Sequence, residues 1–199
     1  MKTVKKAIFN SVKTLAATSL LILSNSALAG DLNSVIDDFS NEHKTSSGVE
    51  RVALNDTTAG GKTTTELAVS NGVLQLKGEI TPPRGQPGWS SLVLPFGAMG
   101  EIQDASKYVG IRLLVKINYG NISISANSSE VTNYDYHAAP VVVSQDGRFH
   151  EVKVPFASMK RAWSEQTKLN TQTLNSLSIV AYGMQKSSYD FEVDEVNFY

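Results

Sequence analysis

The chain has 199 residues, with 18 lysines and arginines against 19 aspartates and glutamates, and it contains no cysteine. Without cysteine, disulfide bonds, thiol catalysis and thiolate metal sites are excluded, so stability must come from packing. Beyond the first segment, the sequence has no basic block that could neutralise a row of phosphates. Nucleic acid and anionic membrane surfaces are therefore not expected partners.

The first 29 residues show the three regions of a cleavable signal peptide in the expected order. Four lysines and no acidic residue come first, an apolar run follows at Leu15–Leu23, and Ala27-Leu28-Ala29 supplies the small residues that signal peptidase requires. The apolar run is too short to span a bilayer. We therefore expect cleavage after Ala29 and a periplasmic or secreted protein that is not inserted in the membrane. The remaining 14 basic and 19 acidic residues would give it a net charge of −5.

After this segment come short runs of alternating apolar and polar residues, bounded by Gly, Pro, Asn or Asp. The pattern predicts eight or nine β-strands, because side chains alternate between the two faces of a strand. It is typical of an all-β sandwich or barrel. The predicted inward-facing residues include Leu74, Leu76, Ile80, Leu92, Leu94, Phe96, Ile111, Leu113, Val115, Ile117, Ile122, Ile124, Val152, Val154, Phe156, Leu177, Ile179 and Ala181.

Three segments depart from simple alternation. Asn55–Thr63 is predicted to be a tight hairpin turn in which its two glycines adopt positive φ. Ala157–Leu174 has an irregular pattern, with a helical turn expected near its end. In the last run, Phe191–Val193 and Val196–Phe198 are out of phase, and a one-residue bulge between them would return the apolar residues of both to the core.

Six short motifs follow one another along the chain. They are Ile36-Asp37-Asp38-Phe39, the Asp-x-x-x-Gly-Gly-x-Thr pattern within Asn55–Thr63, Asn71–Glu79, Asp104–Leu113, Val152-Lys153-Val154-Pro155-Phe156 and Phe191–Tyr199. In this order they resemble the CIA30 family, named after complex I intermediate-associated protein 30, and the resemblance extends from about Val35 to Tyr199.

The resemblance implies one domain over residues 30–199, a galactose-binding-like jelly-roll β-sandwich of two antiparallel sheets. It also implies a binding function without catalysis, and two partners remain open. The first is a partner protein, bound during assembly in the cell envelope. The alternative is a glycan, because the pattern is close to that of cellulase-associated carbohydrate-binding modules.

Aromatic residues among polar neighbours mark the predicted ligand face. Sugars stack their apolar CH faces on aromatic rings, while their hydroxyl groups need polar partners. Trp163 is expected instead to anchor a loop over the core. The candidate ligand-binding residues are Trp89, Arg112, Tyr134, Tyr136, His137 and Tyr182.

No catalytic residue is predicted. His43, His137 and His150 are the only histidines, and none stands in a nucleophile or metal motif. Ser90 lacks the second glycine of a nucleophile elbow and is predicted to be an ordinary strand residue.

One metal site is considered, and no other cofactor is expected. Asp38, Asp194 and Glu195 could bring oxygen ligands from the first and last strands to a structural calcium ion. The alternative is that these acids are solvated charges that discourage association at a sheet edge.

Overall fold

Twelve β-strands and three short 3-10 turns make up residues 32–199, the part of the chain that the computed structural model describes. The predicted signal peptide lies outside these residues. Every strand pair is antiparallel. The strands are β1 (Val35–Asp37), β2 (Val52–Asn55), β3 (Glu66–Ser70), β4 (Val73–Ile80), β5 (Gly88–Pro95), β6 (Gly110–Tyr119), β7 (Asn121–Ser128), β8 (His137–Val141), β9 (His150–Pro155), β10 (Lys160–Arg161), β11 (Leu174–Gly183) and β12 (Ser187–Phe198).

The strands divide into two sheets of six. The first sheet has the order β3-β4-β12-β6-β9, and β1 also pairs with β12. The second sheet has the order β10-β8-β7-β11-β5-β2. The chain crosses between the sheets several times, so most neighbours in a sheet, apart from β3 with β4 and β7 with β8, are not consecutive in sequence. The predicted all-β, two-sheet sandwich is confirmed.

The core lies between the sheets and is built by alternation. Leu92 and Leu94 of the second sheet and Leu74 and Leu76 of the first are fully buried. Each buried side chain of this size contributes about 1.5–3 kcal/mol through removal of apolar surface from water. Nearly all the predicted inward-facing residues are buried, and Val152 is partly buried against the same cluster.

The bulge predicted in the last strand is confirmed. The pairing of β12 with β6 shifts register between Val193 and Glu195. As a result Phe191, Val193, Val196 and Phe198 all face the core. One extra residue therefore corrects the phase of the longest strand.

Two local predictions need revision. Asn55–Thr63 is not a hairpin turn, because β2 and β3 belong to different sheets and the segment crosses between them. It contains a 3-10 turn at Asp56–Ala59, and of its two glycines only Gly60 has positive φ. The irregular segment after Phe156 contains the predicted helical turn, at Thr171–Thr173, but also the short strand β10.

The first motif forms a buried ion pair. Arg51 donates to Asp37 through Nε at 2.6 Å and through a second nitrogen at 2.8 Å. The guanidinium also lies 4.9 Å from the ring centre of Phe39. Both charged side chains are nearly inaccessible, so they stabilise the domain only as a pair.

No helix between residues 32 and 199 combines the length and apolar character needed to cross a bilayer.

Candidate functional site

The outer faces of the two sheets differ in chemistry. The first sheet carries paired charges, such as Lys116 with Glu192 and Arg112 with both Glu151 and Glu195. The second sheet carries hydroxyl groups and small apolar side chains. A charged face whose ions neutralise one another is suited to solvent, so the second sheet is the better candidate for a ligand face.

Small residues form the middle of the second sheet's outer face. Val180 of β11 lies between Ser91 of β5 and Ser123 of β7. One step along, Ser178 lies between Val93 and Ser125. Of the small residues on this face, Ser123, Val180 and Ala138 of β8 line a depression of about 280 Å³.

Two aromatic residues stand side by side at one end of the depression. Trp89 of β5 and Tyr182 of β11 are directly opposite each other in the antiparallel pairing. Directly opposed side chains on one face of a sheet lie within contact distance. Trp89 is half-buried, whereas Tyr182 is exposed, and both line the depression.

A third ring lines the same depression from a different element. Tyr136 precedes β8, and its ring meets that of Trp163 edge to face, with centroids 5.4 Å apart and planes at 86°. Burial, the charge of Asp135 and Tyr182 raise the pKa of the Tyr136 phenol. A tyrosine hydroxyl is protonated at neutral pH at its ordinary pKa of about 10, and the raised pKa keeps this one a hydrogen-bond donor at higher pH as well.

The carboxylate of Asp135 ties the two segments that carry these rings. It accepts hydrogen bonds from the backbone N–H groups of Tyr136, Ala162 and Ser164, at 2.8–3.0 Å, and from Nε of Arg161 at 2.8 Å. Burial opposes its ionisation, but these bonds, led by the one from Arg161, outweigh burial and hold the pKa of Asp135 far below its ordinary value. Asp135 thus positions Tyr136 and Trp163.

A second buried carboxylate positions Trp89. Asp56 accepts the backbone N–H and the hydroxyl of Thr63, at 3.1 and 2.7 Å, and the backbone N–H of Trp89 at 3.2 Å. A Cβ on Gly61 would lie 2.2 Å from this carboxylate. The Asp-x-x-x-Gly-Gly-x-Thr motif is therefore a carboxylate cradle that fixes the strand bearing Trp89.

Hydroxyl and amide groups extend the face beyond the depression. The Asn127 amide donates to the hydroxyls of Ser176 and Ser178, at 3.0 and 2.9 Å. Ser125, the cross-strand neighbour of Ser178, is buried, and its hydroxyl has no hydrogen-bond partner in the described residues. This face therefore holds both satisfied and unsatisfied polar groups.

The structure does not bring all the predicted ligand residues together. Trp89, Tyr136 and Tyr182 line one depression. Arg112 belongs to the other sheet, and the expectation that it shares their face is wrong. Its side chain bonds Glu151 and Glu195, and these two bonds raise its pKa.

Two other predicted ligand residues also lie elsewhere. His137 faces the interior, where its Nε2 lies 2.9 Å from the carbonyl oxygen of Thr167, so it cannot contact a ligand in the depression. Tyr134 is 93% exposed at a loop tip with φ of 62° and does not line the depression. The positions of both side chains follow from the loop that Asp135 organises. The loop has its tip at Tyr134, and the chain then enters β8 with His137 pointing inward.

Trp163 does not anchor a loop over the core as expected, because it is 61% exposed and packs against Tyr136. Sequence reasoning also missed Asp135 and Arg161 as the ion pair that holds the segments of Tyr136 and Trp163 together. The available signal was an arginine two residues before a tryptophan, in a segment with no apolar alternation. Ser90 is a buried strand residue, with its hydroxyl 2.8 Å from that of Thr65.

The residues proposed for calcium do not form a ligand cluster. Asp38 accepts hydrogen bonds from the hydroxyl and the backbone of Ser40, which lower its pKa. Hydrogen bonds from Asn197 and then Arg112 lower the pKa of Glu195. Among residues 32–199 no three acidic or histidine side chains, with Asp194 included, are placed to hold a metal ion. The alternative of solvated edge charges does not describe Asp194 and Glu195 either, because β12 lies between β4 and β6 and Glu195 is paired with Arg112.

Solved carbohydrate-binding modules share this β-sandwich fold. A family 11 carbohydrate-binding module from Clostridium thermocellum, in complex with a β-1,3-1,4-mixed-linked tetrasaccharide, superposes with a TM-score of 0.60 at 16% identity, over 83% of this chain and 94% of the module. The family 11 module of a cellulosomal cellulase of the same organism gives 0.58 at 17% identity, over 82% and 92%. An agarase gives 0.56 at 8% identity, over 82% of this chain and 24% of the enzyme.

The chain belongs to the CIA30 family, Complex I intermediate-associated protein 30, whose model matches residues 38–193. A comparison with curated protein sequences finds no match. The matched residues include Asp56, Asp135 and all three rings that line the depression.

Proposed function

We propose that this domain is a non-catalytic binding module that takes a glycan on the outer face of its second sheet. One observation carries the proposal: Trp89, Tyr136 and Tyr182 come from three separate elements and border one depression whose middle is built from small residues. Aromatic rings stack against the CH faces of sugars, and hydroxyl groups nearby accept and donate hydrogen bonds.

The positioning of the rings supports the same proposal. Asp56 holds the strand of Trp89, and Asp135 holds the loop of Tyr136, each through a buried carboxylate. Preorganised rings lose little conformational freedom when a ligand binds, so less of the interaction energy is spent on ordering them. A solved module of this fold that is in complex with a tetrasaccharide adds support by analogy.

A glycan array with the protein truncated before Gly30 tests the proposal. Trp89→Ala and Tyr136→Ala should each weaken binding about fivefold to tenfold, the effect of losing roughly 1 kcal/mol of stacking. Tyr119→Ala, which removes an exposed ring of the first sheet, is the matched control and should leave affinity unchanged. Absence of binding to every glycan would overturn the proposal.

A partner protein is the second candidate, and the edge of the second sheet favours it. The edge strand β2 exposes Val52 and Leu54, at 43% and 45%. An unpaired strand edge with apolar side chains can pair with another chain. Cross-linking in cell envelopes should recover a stable partner if this edge is the functional surface, and Leu54→Lys should abolish recovery.

We further propose that the domain works outside the cytoplasm after cleavage following Ala29. The N-terminal pattern of lysines, apolar run and small residues supports this. Mass measurement of the protein from a periplasmic or culture fraction should give an N-terminus at Gly30. An intact Met1 in that fraction would contradict the proposed cleavage.

A further inference from the structure

The charged side chains around the depression all belong to basic residues. Lys160 and Arg161 of β10 line it, and no carboxylate does. A second depression, of about 440 Å³, shares Lys160 and adds Lys168, again without a carboxylate. Lys160 therefore stands at the junction of two carboxylate-free depressions.

The two cations of β10 differ in their available charge. Arg161 is bonded to Asp135, whose side chain is completely buried, so their charges cancel. In the part of the chain that the structure describes, Lys160 has no carboxylate partner. Its ammonium is exposed and lies on the outer face, because β10 pairs Lys160 with Ala138.

The lysines of the first sheet and its edges differ from Lys160 because they are paired with carboxylates. The chain is acidic after its first 29 residues. On the first sheet and its edges, Lys77, Lys116, Lys153 and Lys186 each lie within 4 Å of a glutamate. An unpaired lysine attracts anions to a binding site, and a site without carboxylates does not repel them.

We infer that the glycan bound by this face is anionic, a sugar chain whose carboxylate or sulfate groups lie beside Lys160 while its rings stack on Trp89, Tyr136 and Tyr182. The inference rests on the proposed glycan-binding function. A neutral chain would leave the ammonium without a partner, whereas an acidic chain supplies one. Specificity then comes from the charge of Lys160 combined with stacking on the three rings.

Matched pairs of oligosaccharides that differ only in the acidic group test the inference. Suitable hexamers are β-1,4-linked mannose with mannuronate and β-1,4-linked glucose with glucuronate, together with agarose oligomers with and without sulfate. Titration calorimetry with the truncated protein should give tighter binding to the acidic member of at least one pair. Raising the salt concentration should narrow the difference, because ions screen exposed charges.

Lys160→Gln isolates the role of the ammonium. The ratio of acidic to neutral affinity should fall about threefold to fivefold, the scale of one partly exposed ion pair. Lys153→Gln on the first sheet is the matched control, and its ratio should equal that of the native protein. The two arms, carboxylated and sulfated, identify which acid group the site takes.

The outcomes separate the preference for an acidic glycan from glycan binding itself. Preference for the neutral members, or an unchanged ratio in Lys160→Gln, overturns the inference while glycan binding itself stands. Binding of poly-glutamate as tight as that of the acidic sugars would also overturn it, because charge alone would then suffice. Failure to bind any member of any pair overturns both the inference and the proposed function.

Discussion

Replacing Asp135 by asparagine removes the charge that holds Tyr136 and Trp163, the aromatic wall of the site, while keeping the shape of the side chain. Oδ1 accepts from the backbone of Tyr136 and Ala162, and Oδ2 accepts from Arg161 and Ser164. An amide has one acceptor oxygen, so either orientation turns an NH₂ group toward two donors. Two buried hydrogen bonds are lost in each case.

The expected loss follows from these bonds. A hydrogen bond contributes about 1 kcal/mol, and one to a charged group about 1.5–3 kcal/mol. Asp135→Asn should therefore lower the free energy of unfolding by about 3 kcal/mol, close to the effect of breaking a buried ion pair. Urea denaturation followed by tryptophan fluorescence measures it, and the slope against urea should not change.

The pH dependence of the same variant provides a second readout. The pKa of Asp135 is lower in the folded than in the unfolded protein. Its stabilisation is therefore fully present above the ordinary carboxyl pKa of about 4 and is lost as the pH falls further. The stability gap between the native protein and Asp135→Asn should be constant from pH 7 to 5 and shrink below about pH 4.

Asp146→Asn is the control, because Asp146 pairs with His150 at 2.8 Å on the surface. Its effect should be much smaller, since exposed pairs contribute little. A loss below about 1 kcal/mol in Asp135→Asn, or a gap that widens in acid, would refute the assignment of Asp135 as the residue that positions the wall.

Two further substitutions test the other buried polar groups. Gly61→Ala should lower the free energy of unfolding by about 2–4 kcal/mol, because its Cβ would overlap the Asp56 carboxylate. Gly60→Ala is the control: that residue lies in open space with φ of 85°, so the substitution should lower the free energy of unfolding by only about 1–2 kcal/mol. Equal losses in the two variants would contradict the carboxylate cradle. Ser125→Ala should raise the free energy of unfolding by about 1 kcal/mol by removing an unpartnered hydroxyl. Ser178→Ala should lower it, because that hydroxyl accepts from Asn127; a loss in both variants would mean that Ser125 has a partner.

Much of the fold could be predicted because burial and alternation are local properties. The phase of Leu92 and Leu94 places Trp89 on the opposite face whatever the strand pairs with, and the phase error in the last strand already requires a bulge. The 3-10 turn at Thr171–Thr173 was predicted as well. The segment Asn55–Thr63 was not, because two glycines signal a tight turn but not whether the chain returns to the same sheet.

The candidate site was predicted only in part, for the same reason. Trp89, Tyr182 and Arg112 all face outward, and the sequence alone treats them alike. The structure puts the first two on β5 and β11 of one sheet and Arg112 on β6 of the other. His137 was misjudged because its neighbours Tyr136 and Asp135 suggest a polar surface loop, whereas β8 has already begun there.

The sequence by itself determined the all-β class, the identity of most core residues, the family motifs and the N-terminal signal pattern, because each depends on residues close together in the chain. Only the tertiary structure decided which outward faces belong together, which carboxylates are buried, and that Lys160 has no carboxylate partner among the described residues. Those outcomes depend on strand pairing and on contacts between residues far apart in the chain, such as the hydrogen bonds of Asp56 with Trp89 and of Asp135 with Arg161. A period of two residues specifies the side of a strand that faces the core, but it contains no information about the neighbouring strand.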